Sequence, residues 1–193
     1  MEVNLSNAAW EAIFAPCDQP TYQTVLNLLR PEDIVLDIGA GDLRLSRQMA
    51  GLVRTVYAVE VNESVLGQGL SLPDPLPDNL IAIQADARTL AFPTGITVGV
   101  LLMRHCTHFR LYAEKLRFAG AERVITNARW HMSVEEVNLQ AARTAFHDVA
   151  MGWYACLCGA TGFKIGTVGA EDWSKEMDQV IHEVTNCPLC KQV

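Results

Sequence analysis

A glycine-rich segment at residues 34–42 constrains the fold more than any other part of the sequence. It reads Ile-Val-Leu-Asp-Ile-Gly-Ala-Gly-Asp, so an apolar run meets an acid and then two glycines one residue apart. This order predicts a buried strand and a tight turn, and residues 43–52 predict a helix whose N-terminus faces the turn. A ligand is the usual reason for such a turn, and the rest of the chain has to identify it.

Predicted strands and helices alternate along most of the chain. The strands are predicted over residues 34–38, 55–61, 80–86, 96–103 and 123–126, and the helices over residues 4–15, 21–29, 43–52, 64–72, 109–119 and 133–151. Ser133 and Glu136 have the spacing of a capping box, which favours a helix in the last of these ranges. The alternation predicts an α/β fold with a doubly wound, mostly parallel sheet.

Two classes of ligand are commonly bound by a strand, a glycine turn and a helix. A dinucleotide site requires a glycine or alanine where this chain has Arg44, and no Gly-Lys-Ser/Thr element follows the turn. Nucleotide-dependent oxidoreduction is therefore disfavoured. The turn instead reads Asp-x-Gly-x-Gly from Asp37 to Gly41, and Glu60 and Asp86 end the next two predicted strands. Because ligands of open α/β sheets bind outside the carboxyl ends of the strands, these acids are expected at one site.

At these residues, and over roughly residues 20–150 by the order of elements, the chain resembles the class I S-adenosylmethionine-dependent methyltransferases. The resemblance implies a Rossmann-like methyltransferase fold with S-adenosylmethionine as the cofactor. It implies that Glu60 accepts hydrogen bonds from the ribose hydroxyls and that Asp86 takes the adenine amino group. Asp37 would help to hold the turn and the methionine ammonium. Carboxylates suit this cofactor, which is cationic at its sulfonium and ammonium groups.

The cofactor-binding residues that the resemblance implies follow the predicted strands. They are Asp37, Gly39, Gly41, Asp42, Glu60, Val61, Asp86, Ala87 and Arg104. Members of the family often carry a third glycine where this chain has Leu43. The geometry of the turn at Leu43 is therefore a specific question for the structure.

The segment after the fourth predicted strand, residues 103–109, reads Met-Arg-His-Cys-Thr-His-Phe. In the family that the chain resembles, this loop usually faces the transferred methyl group. His105 is the expected catalytic residue, as a general base that titrates near neutral pH, and His108 is an alternative. Two other interpretations are open. Cys106 acts as a nucleophile, or His105 and Cys106 pack under the helix.

The charge pattern bears on the methyl acceptor. The formal net charge of −7 argues against indiscriminate binding to nucleic acid. Residues 104–131 nevertheless carry six cations against two acids, which favours an anionic acceptor such as a phosphate or RNA. These cations are Arg104, Arg110, Lys115, Arg117, Arg123 and Arg129. A solvated helix face explains about half of them, and Trp130 either stacks on a base or packs in the core.

Four of the six cysteines form two closely spaced pairs near the C-terminus. Cys156-x-Cys158-Gly and Cys187-Pro-x-Cys190 resemble the paired knuckles of a zinc ribbon, in which four thiolates hold a structural zinc ion. Free thiols or a disulfide are the alternatives, and His182 is a lesser candidate for one ligand.

The C-terminal residues are also expected to complete the sheet. Strands predicted over residues 153–158 and 180–185 would pair antiparallel after the last helix, and a short helix is predicted over residues 171–179. The chain is accordingly divided into an S-adenosylmethionine-binding α/β domain, residues 1–151, and a zinc-binding tail, residues 152–193.

The expected activity is S-adenosylmethionine-dependent methyl transfer to an unidentified acceptor. The alternative is a non-catalytic, zinc-stapled binding module that keeps the fold as an adaptor, because no recognisable catalytic motif follows the fourth strand. No apolar run reaches the length of a membrane span and the N-terminus lacks the pattern of a signal peptide, so a cytoplasmic location is expected.

Overall fold

The computed structural model describes residues 17–104, 106–129, 133–166 and 180–191. Helices α1 to α4 cover Gln19–Leu28, Arg44–Ala50, Glu63–Leu70 and Phe109–Ala119. Strands β1 to β5 cover Ile34–Ile38, Thr55–Glu60, Leu80–Gln84, Val98–Leu101 and Arg123–Thr126. Strands β6 to β10 cover Glu135–Asn138, Thr144–Ala145, Gly152–Cys156, Thr161–Lys164 and Ile181–Thr185. The helices predicted over residues 4–15 and 171–179 lie outside the described residues.

The first sheet has six strands in the order β3-β2-β1-β4-β5-β6. Strands β1 to β5 run parallel to their neighbours, and β6 pairs antiparallel with β5. This order confirms the predicted mostly parallel, doubly wound sheet. The order reverses between β1 and β4, and in open α/β sheets the crevice at this switch point receives the ligand.

Helices cover both faces of the first sheet. Successive residues of a strand point to opposite faces, and β1 shows this directly. Val35 packs in a core cluster with α1, α2 and α3, and Leu36 packs in a second cluster with α4. Both side chains are fully buried. Strand β1 is therefore held between two apolar layers, which fixes the position of the glycine turn at its end.

Helix α3 approaches the glycine turn closely. A Cβ atom at Gly69 would collide with the backbone carbonyl of Asp42, so only glycine allows α3 to lie so near the turn. The side chain of Asn62 caps this helix by accepting hydrogen bonds from the backbone N–H groups of Ser64 and Val65. Gly69 weakens the helical propensity of this segment, but its lack of a side chain lets α3 pack against the glycine turn.

The helix predicted over residues 133–151 is wrong, because this segment forms strands β6 and β7 and a short 3₁₀ turn. Glu136, which with Ser133 suggested a capping box, lies in β6 beside Glu135, and both glutamates pair with buried arginines. Glu136 Oε2 lies 2.6 Å from Arg123 Nη1, and Glu135 Oε1 lies 2.9 Å from Arg129 Nε. Pairing with β5 and with these arginines outweighs the local helix signal.

The second sheet has four strands in the order β7-β10-β8-β9. The strands predicted over residues 153–158 and 180–185 are present as β8 and β10. Their predicted arrangement is wrong, because they pair in parallel and lie in this sheet instead of completing the first one. Strand β6 occupies the edge beside β5. The domain boundary between residues 151 and 152 stays a prediction, and β7 of the second sheet precedes it.

The lengths of the helices bear on membrane association. Helix α4 has 11 residues, and among the described residues no helix is long and apolar enough to cross a bilayer. The cytoplasmic location stays a prediction.

Candidate functional site

The glycine turn after β1 is held by hydrogen bonds from its own backbone. The N–H groups of Gly39 and Ala40 donate to the carbonyl of Val59, at 2.9 and 3.0 Å. The N–H of Gly41 donates to Oε2 of Glu60 at 2.9 Å. Glu60 is buried at the end of β2. The structure therefore brings this predicted site residue directly against the turn, beside the switch point.

Asp37 is buried beneath the same turn. Its Oδ2 accepts a hydrogen bond of 2.6 Å from Ser46 Oγ in α2. Burial raises the pKa of the Asp37 carboxyl to about 6, the Ser46 hydrogen bond opposes this shift, and the charge of Glu60 adds to it. Two buried carboxyl groups thus flank the turn, and a cation bound beside them would favour the ionised form of Asp37.

The position of the absent third glycine has an unusual backbone. Leu43 has a φ of +64°, in the left-handed region that glycine adopts without steric cost. Its side chain is fully buried in the core cluster shared by α1, α2 and α3. The backbone at Leu43 therefore has the conformation that a glycine would adopt without strain, and burial of the leucine side chain offsets the strain.

The two glycines of the turn face different surroundings. A Cβ atom at Gly39 would lie 2.5 Å from Cε of Met103, so this side chain, which follows β4, packs directly on the turn. A Cβ atom at Gly41 would meet no atom within 4 Å among the described residues. The open side of the turn is therefore at Gly41, where a ligand has access to both the backbone and Glu60.

Asp42 and Asp86 are each paired with an arginine two residues later. Asp42 forms an ion pair with Arg44, and Asp86 Oδ2 lies 2.7 Å from Arg88 Nη2. The side-chain hydrogen bonds from these arginines lower the pKa of both carboxyl groups. The acceptor expected for an adenine amino group is thus already engaged by Arg88, and a ligand would have to share it or replace that partner.

The other expected cofactor residues differ in exposure. Val61 is 47% exposed after β2, and Ala87 is buried after β3. Arg104 is half-buried after β4, and its Nε has no hydrogen-bond partner among the described residues. Its charge acts on Cys17 and Asp18, so the chain before α1 lies near the end of β4. The roles of all these residues in cofactor binding stay predictions.

The expected catalytic residue, His105, lies outside the described residues. Cys106 is half-buried, and burial raises the pKa of its thiol, which disfavours an ionised nucleophile at neutral pH. His108 is exposed at the N-cap position of α4, with its ring edge-on to Tyr112 at 6.4 Å between centroids. The catalytic role of His105 therefore stays a prediction, as does the role of Trp130, which is also outside the described part.

Most of the cations in residues 104–131 are engaged within the chain. The contacts are Arg110 with Glu114, Lys115 with the carbonyls of Ala87 and Arg88, Arg123 with Asp33 and Glu136, and Arg129 with Glu135 and Glu183. In the parts of the chain that are described, Arg104 and Arg117 have no ion-pair partner. Of these two arginines, Arg104 directly follows Met103, the residue that packs on the glycine turn.

The predicted cysteine cluster is confirmed. The sulfurs of Cys156, Cys158, Cys187 and Cys190 all lie within 4.8 Å of one another. The Sγ atoms of Cys156 and Cys190, and those of Cys158 and Cys187, are 3.5 Å apart. Four thiolates around a zinc ion at about 2.3 Å would be separated by about 3.8 Å, so this spacing fits a tetrahedral ion. His182 lies against Gly152 and is not part of the cluster.

The cysteine cluster lies against the start of α4. A Cβ atom at Gly159 would be 3.1 Å from Cβ of Phe109, the first residue of α4. The guanidinium of Arg129 lies 5.4 Å from the centroid of the Phe109 ring. Arg129 also pairs with Glu135 of the first sheet and Glu183 of the second. The two sheets are therefore joined beside the loop that follows β4.

Arg129 is the structural residue that sequence reasoning missed, because it was counted with a basic surface. Its side chain is only 1% exposed. The local signal was Glu135, which lies six residues after Arg129 in a segment that was predicted to be helical. Glu183, the partner on β10, is 54 residues away in sequence, and no spacing indicates so distant a contact.

Comparison with known proteins gives the fold. No protein-family model and no curated protein matches the chain. A precorrin-8w decarboxylase from Methanobacterium thermoautotrophicum is 21% identical with a TM-score of 0.50, over 58% of this chain and 63% of its own. A precorrin-6y C5,15-methyltransferase from Geobacter metallireducens GS-15 is 17% identical with a TM-score of 0.50, over 57% and 63%. An rRNA methylase from Streptococcus thermophilus is 23% identical with a TM-score of 0.46, over 58% and 72%.

The match to the two precorrin enzymes spans 63% of their length. In this chain the first sheet is mostly parallel, and the glycine turn lies at its switch point. The chain therefore has the Rossmann-like fold of the class I S-adenosylmethionine-dependent methyltransferases, with a four-cysteine cluster in its C-terminal region.

Proposed function

We propose that the chain is an S-adenosylmethionine-dependent methyltransferase. The observation that carries the proposal is the buried carboxylate of Glu60, which accepts one hydrogen bond from Gly41 N–H and one from Asn62 N–H. Each oxygen keeps a second lone pair, which suits the paired hydroxyls of a ribose at the open side of the turn. A dinucleotide would need close backbone approach at Arg44, whose guanidinium pairs with Asp42.

The residues of the site have separate tasks in this proposal. S-adenosylmethionine, when bound, supplies an electrophilic methyl group. Asp37 stabilises the cationic ammonium group, Glu60 orients the ribose, and Asp86 accepts from the adenine amino group once Arg88 has moved. These contacts would orient the donor for in-line transfer to the acceptor, and His105 or water takes the proton of the acceptor.

An anionic acceptor, with RNA as one example, is part of the proposal. Arg104 supports it, because this half-buried cation follows β4 and its Nε lacks a partner among the described residues. The preceding residue, Met103, packs on the glycine turn, which brings the backbone of Arg104 next to the turn. The net charge of −7 favours an acceptor held by such a local contact over one held by a broad basic surface.

The four cysteines hold a structural zinc ion in this proposal. Support comes from Sγ–Sγ distances of 3.5 to 3.8 Å among neighbouring pairs, close to the edges of a ZnS₄ tetrahedron. Four thiolates leave no open coordination position, so the ion has a structural role and takes no part in methyl transfer.

Titration calorimetry with S-adenosylmethionine and with NAD tests the cofactor. We expect binding of S-adenosylmethionine, no binding of NAD, and loss of binding in Glu60→Ala. Glu63→Ala is the matched control, since Glu63 is exposed three residues further on and should bind as the wild type does. Absence of S-adenosylmethionine binding to the folded, zinc-loaded wild type would overturn the proposal.

A non-catalytic adaptor is the second candidate function. It is favoured by Met103, which covers Gly39, and by the arginine partners of Asp42 and Asp86, which together leave little of the site open. Radiolabelled methyl transfer to fractionated cell extract separates the two. Incorporation that is lost in Glu60→Ala supports the enzyme, and cofactor binding with no incorporation in any fraction supports the adaptor.

A further inference from the structure

The exposed side of α4 carries an apolar stripe that the methyltransferase proposal does not use. Phe118 is 95% exposed and Leu111 is 37% exposed. Positions 111, 114, 115 and 118 follow the i, i+3, i+4, i+7 spacing, so Leu111, Glu114, Lys115 and Phe118 share one face of the helix. The opposite side of α4, with Phe109 as an example, is already buried in the core.

This stripe lines a groove on the surface. The groove has a volume of about 350 Å³ and is closed on its other side by Ala91 and Phe92, in the connection between β3 and β4. An almost fully exposed phenylalanine thus stands beside an apolar groove on the same surface. Exposed apolar surface beside a groove, with charged residues next to it, commonly marks an interaction site.

The order of residues in the stripe indicates what covers it. We propose that α4 packs antiparallel against α4 of a second copy of the chain, around a two-fold axis between Glu114 and Lys115. In that arrangement Leu111 of each copy lies opposite Phe118 of the other, and Glu114 of each lies opposite Lys115 of the other. The order of apolar and charged residues is complementary to itself, as a two-fold interface requires.

The side chains of the stripe are available for these contacts. Lys115 Nζ donates to the backbone carbonyls of Ala87 and Arg88 and lies 4.4 Å from the centroid of the Phe92 ring. Its third N–H is the donor that Glu114 of the second copy would accept from. Glu114 pairs with Arg110 at 2.8 Å in an exposed contact of the kind that contributes little stability. Replacement of Arg110 by a lysine of the second copy as the partner of Glu114 therefore costs little free energy.

The interface has the size of one helix pair and its neighbouring loop. Interfaces that bury less than about 1,200 Å² are typically weak and transient. The dimer should accordingly be in exchange with the monomer, with a dissociation constant on the order of micromolar.

Sedimentation velocity of the zinc-loaded full chain from about 5 to about 200 µM tests the dimer over this affinity range. We expect the wild type to shift with concentration from the 21.3 kDa monomer towards twice that mass. Phe118→Glu should remain monomeric. Leu52→Glu is the matched control, since Leu52 is 49% exposed outside α4, and it should dimerise as the wild type does. A wild type that is monomeric throughout, or Phe118→Glu that dimerises equally well, overturns the proposal.

A charge exchange tests the register of the two helices. Glu114→Lys and Lys115→Glu each place like charges opposite one another in a homodimer, so each alone should associate at least tenfold more weakly. An equimolar mixture places opposite charges at both contacts and should recover association. Failure of the mixture to recover, with both variants folded by circular dichroism, contradicts the two-fold arrangement. If Lys115→Glu does not fold, the comparison of Phe118→Glu with Leu52→Glu decides the proposal by itself.

The sedimentation result also distinguishes other occupants of the groove. A partner protein or a nucleic acid would leave the purified chain monomeric at every concentration, and that outcome overturns the dimer. The test does not depend on methyltransferase activity, so the two proposals succeed or fail separately.

Discussion

The backbone N–H of Gly41 donates a hydrogen bond of 2.9 Å to the buried carboxylate of Glu60, which ties the turn after β1 to the end of β2. The other carboxylate oxygen accepts from the N–H of Asn62. One side chain therefore has two tasks, since it holds the turn and, in the proposed function, receives the ribose hydroxyls. The N–H groups of Gly41 and Asn62 need two acceptor oxygens. The carboxylate of glutamate provides both, whereas the side-chain amide of glutamine has only one.

We expect Glu60→Gln to bind S-adenosylmethionine at least tenfold more weakly and to lower the free energy of unfolding by about 1–3 kcal/mol, because one backbone N–H loses its acceptor. Calorimetry measures the first effect and urea denaturation the second. Glu63→Gln, at an exposed position in the first turn of α3, should leave the affinity unchanged and lower the free energy of unfolding by less than about 1 kcal/mol. If Glu60→Gln bound S-adenosylmethionine with wild-type affinity, Glu60 would not be part of the cofactor site.

The buried carboxyl of Asp37 gives the stability a specific pH dependence. Its pKa is raised from 3.8 to about 6 by burial, so between these values the folded state binds more protons than the unfolded state. The contribution of Asp37 is fully present below pH 4 and is lost as the pH rises to about 6. The loss is on the order of 2–3 kcal/mol.

Urea denaturation of wild type and Asp37→Asn at pH 4, 5, 6 and 7 measures this contribution as a difference, which cancels the acid sensitivity of the thiolates. Relative to Asp37→Asn, the wild type should become less stable from pH 4 to pH 6 and then remain constant. A difference that is independent of pH would mean that Asp37 keeps its ordinary pKa in the folded chain.

The five parallel strands of the first sheet could be predicted from the sequence because their signals are local. Short apolar runs that end in Asp37, Glu60 and Asp86 mark the carboxyl ends of β1, β2 and β3, and helices between them require parallel strands. The cysteine cluster was predictable for the same reason, since each pair of ligands is separated by only one or two residues.

The last strand of the first sheet and the arrangement of the second sheet could not be predicted, because both depend on tertiary contacts. Ser133 and Glu136 have the spacing of a capping box, but pairing with β5 and with Arg123 and Arg129 makes this segment strand β6. The left-handed backbone at Leu43 was likewise hidden, since leucine rarely adopts it and only tertiary burial supports it there.

Arg129 should be the most sensitive charged position in the joint between the two sheets. Arg129→Met removes the guanidinium that pairs with Glu135 and Glu183, while Arg143 Nε stays 3.5 Å from Glu183 Oε2. We expect a loss of about 2–4 kcal/mol in the free energy of unfolding. Arg110→Met is the control, since its ion pair with Glu114 is exposed, and it should cost less than about 1 kcal/mol. Urea denaturation at pH 7 measures both, and equal effects would contradict a joint that depends on Arg129.

Removal of the proposed zinc ion should loosen the second sheet first and the start of α4 next. The strands of this sheet have two to five residues, too few to be held by burial alone, so a structural ion contributes folding free energy directly. Cys158→Ser should abolish stoichiometric zinc in elemental analysis of the reduced protein. Cys17→Ser and Cys106→Ser, outside the cluster, should retain it.

Because Gly159 packs on Phe109, chelation should also raise amide hydrogen exchange at the first turn of α4, while β1 and β2 stay protected. Exchange that rises only within β8 to β10 would show that the cysteine cluster folds independently of the loop after β4. Full zinc content in Cys158→Ser, or a disulfide found by mass spectrometry in the reduced wild type, would contradict the metal site itself.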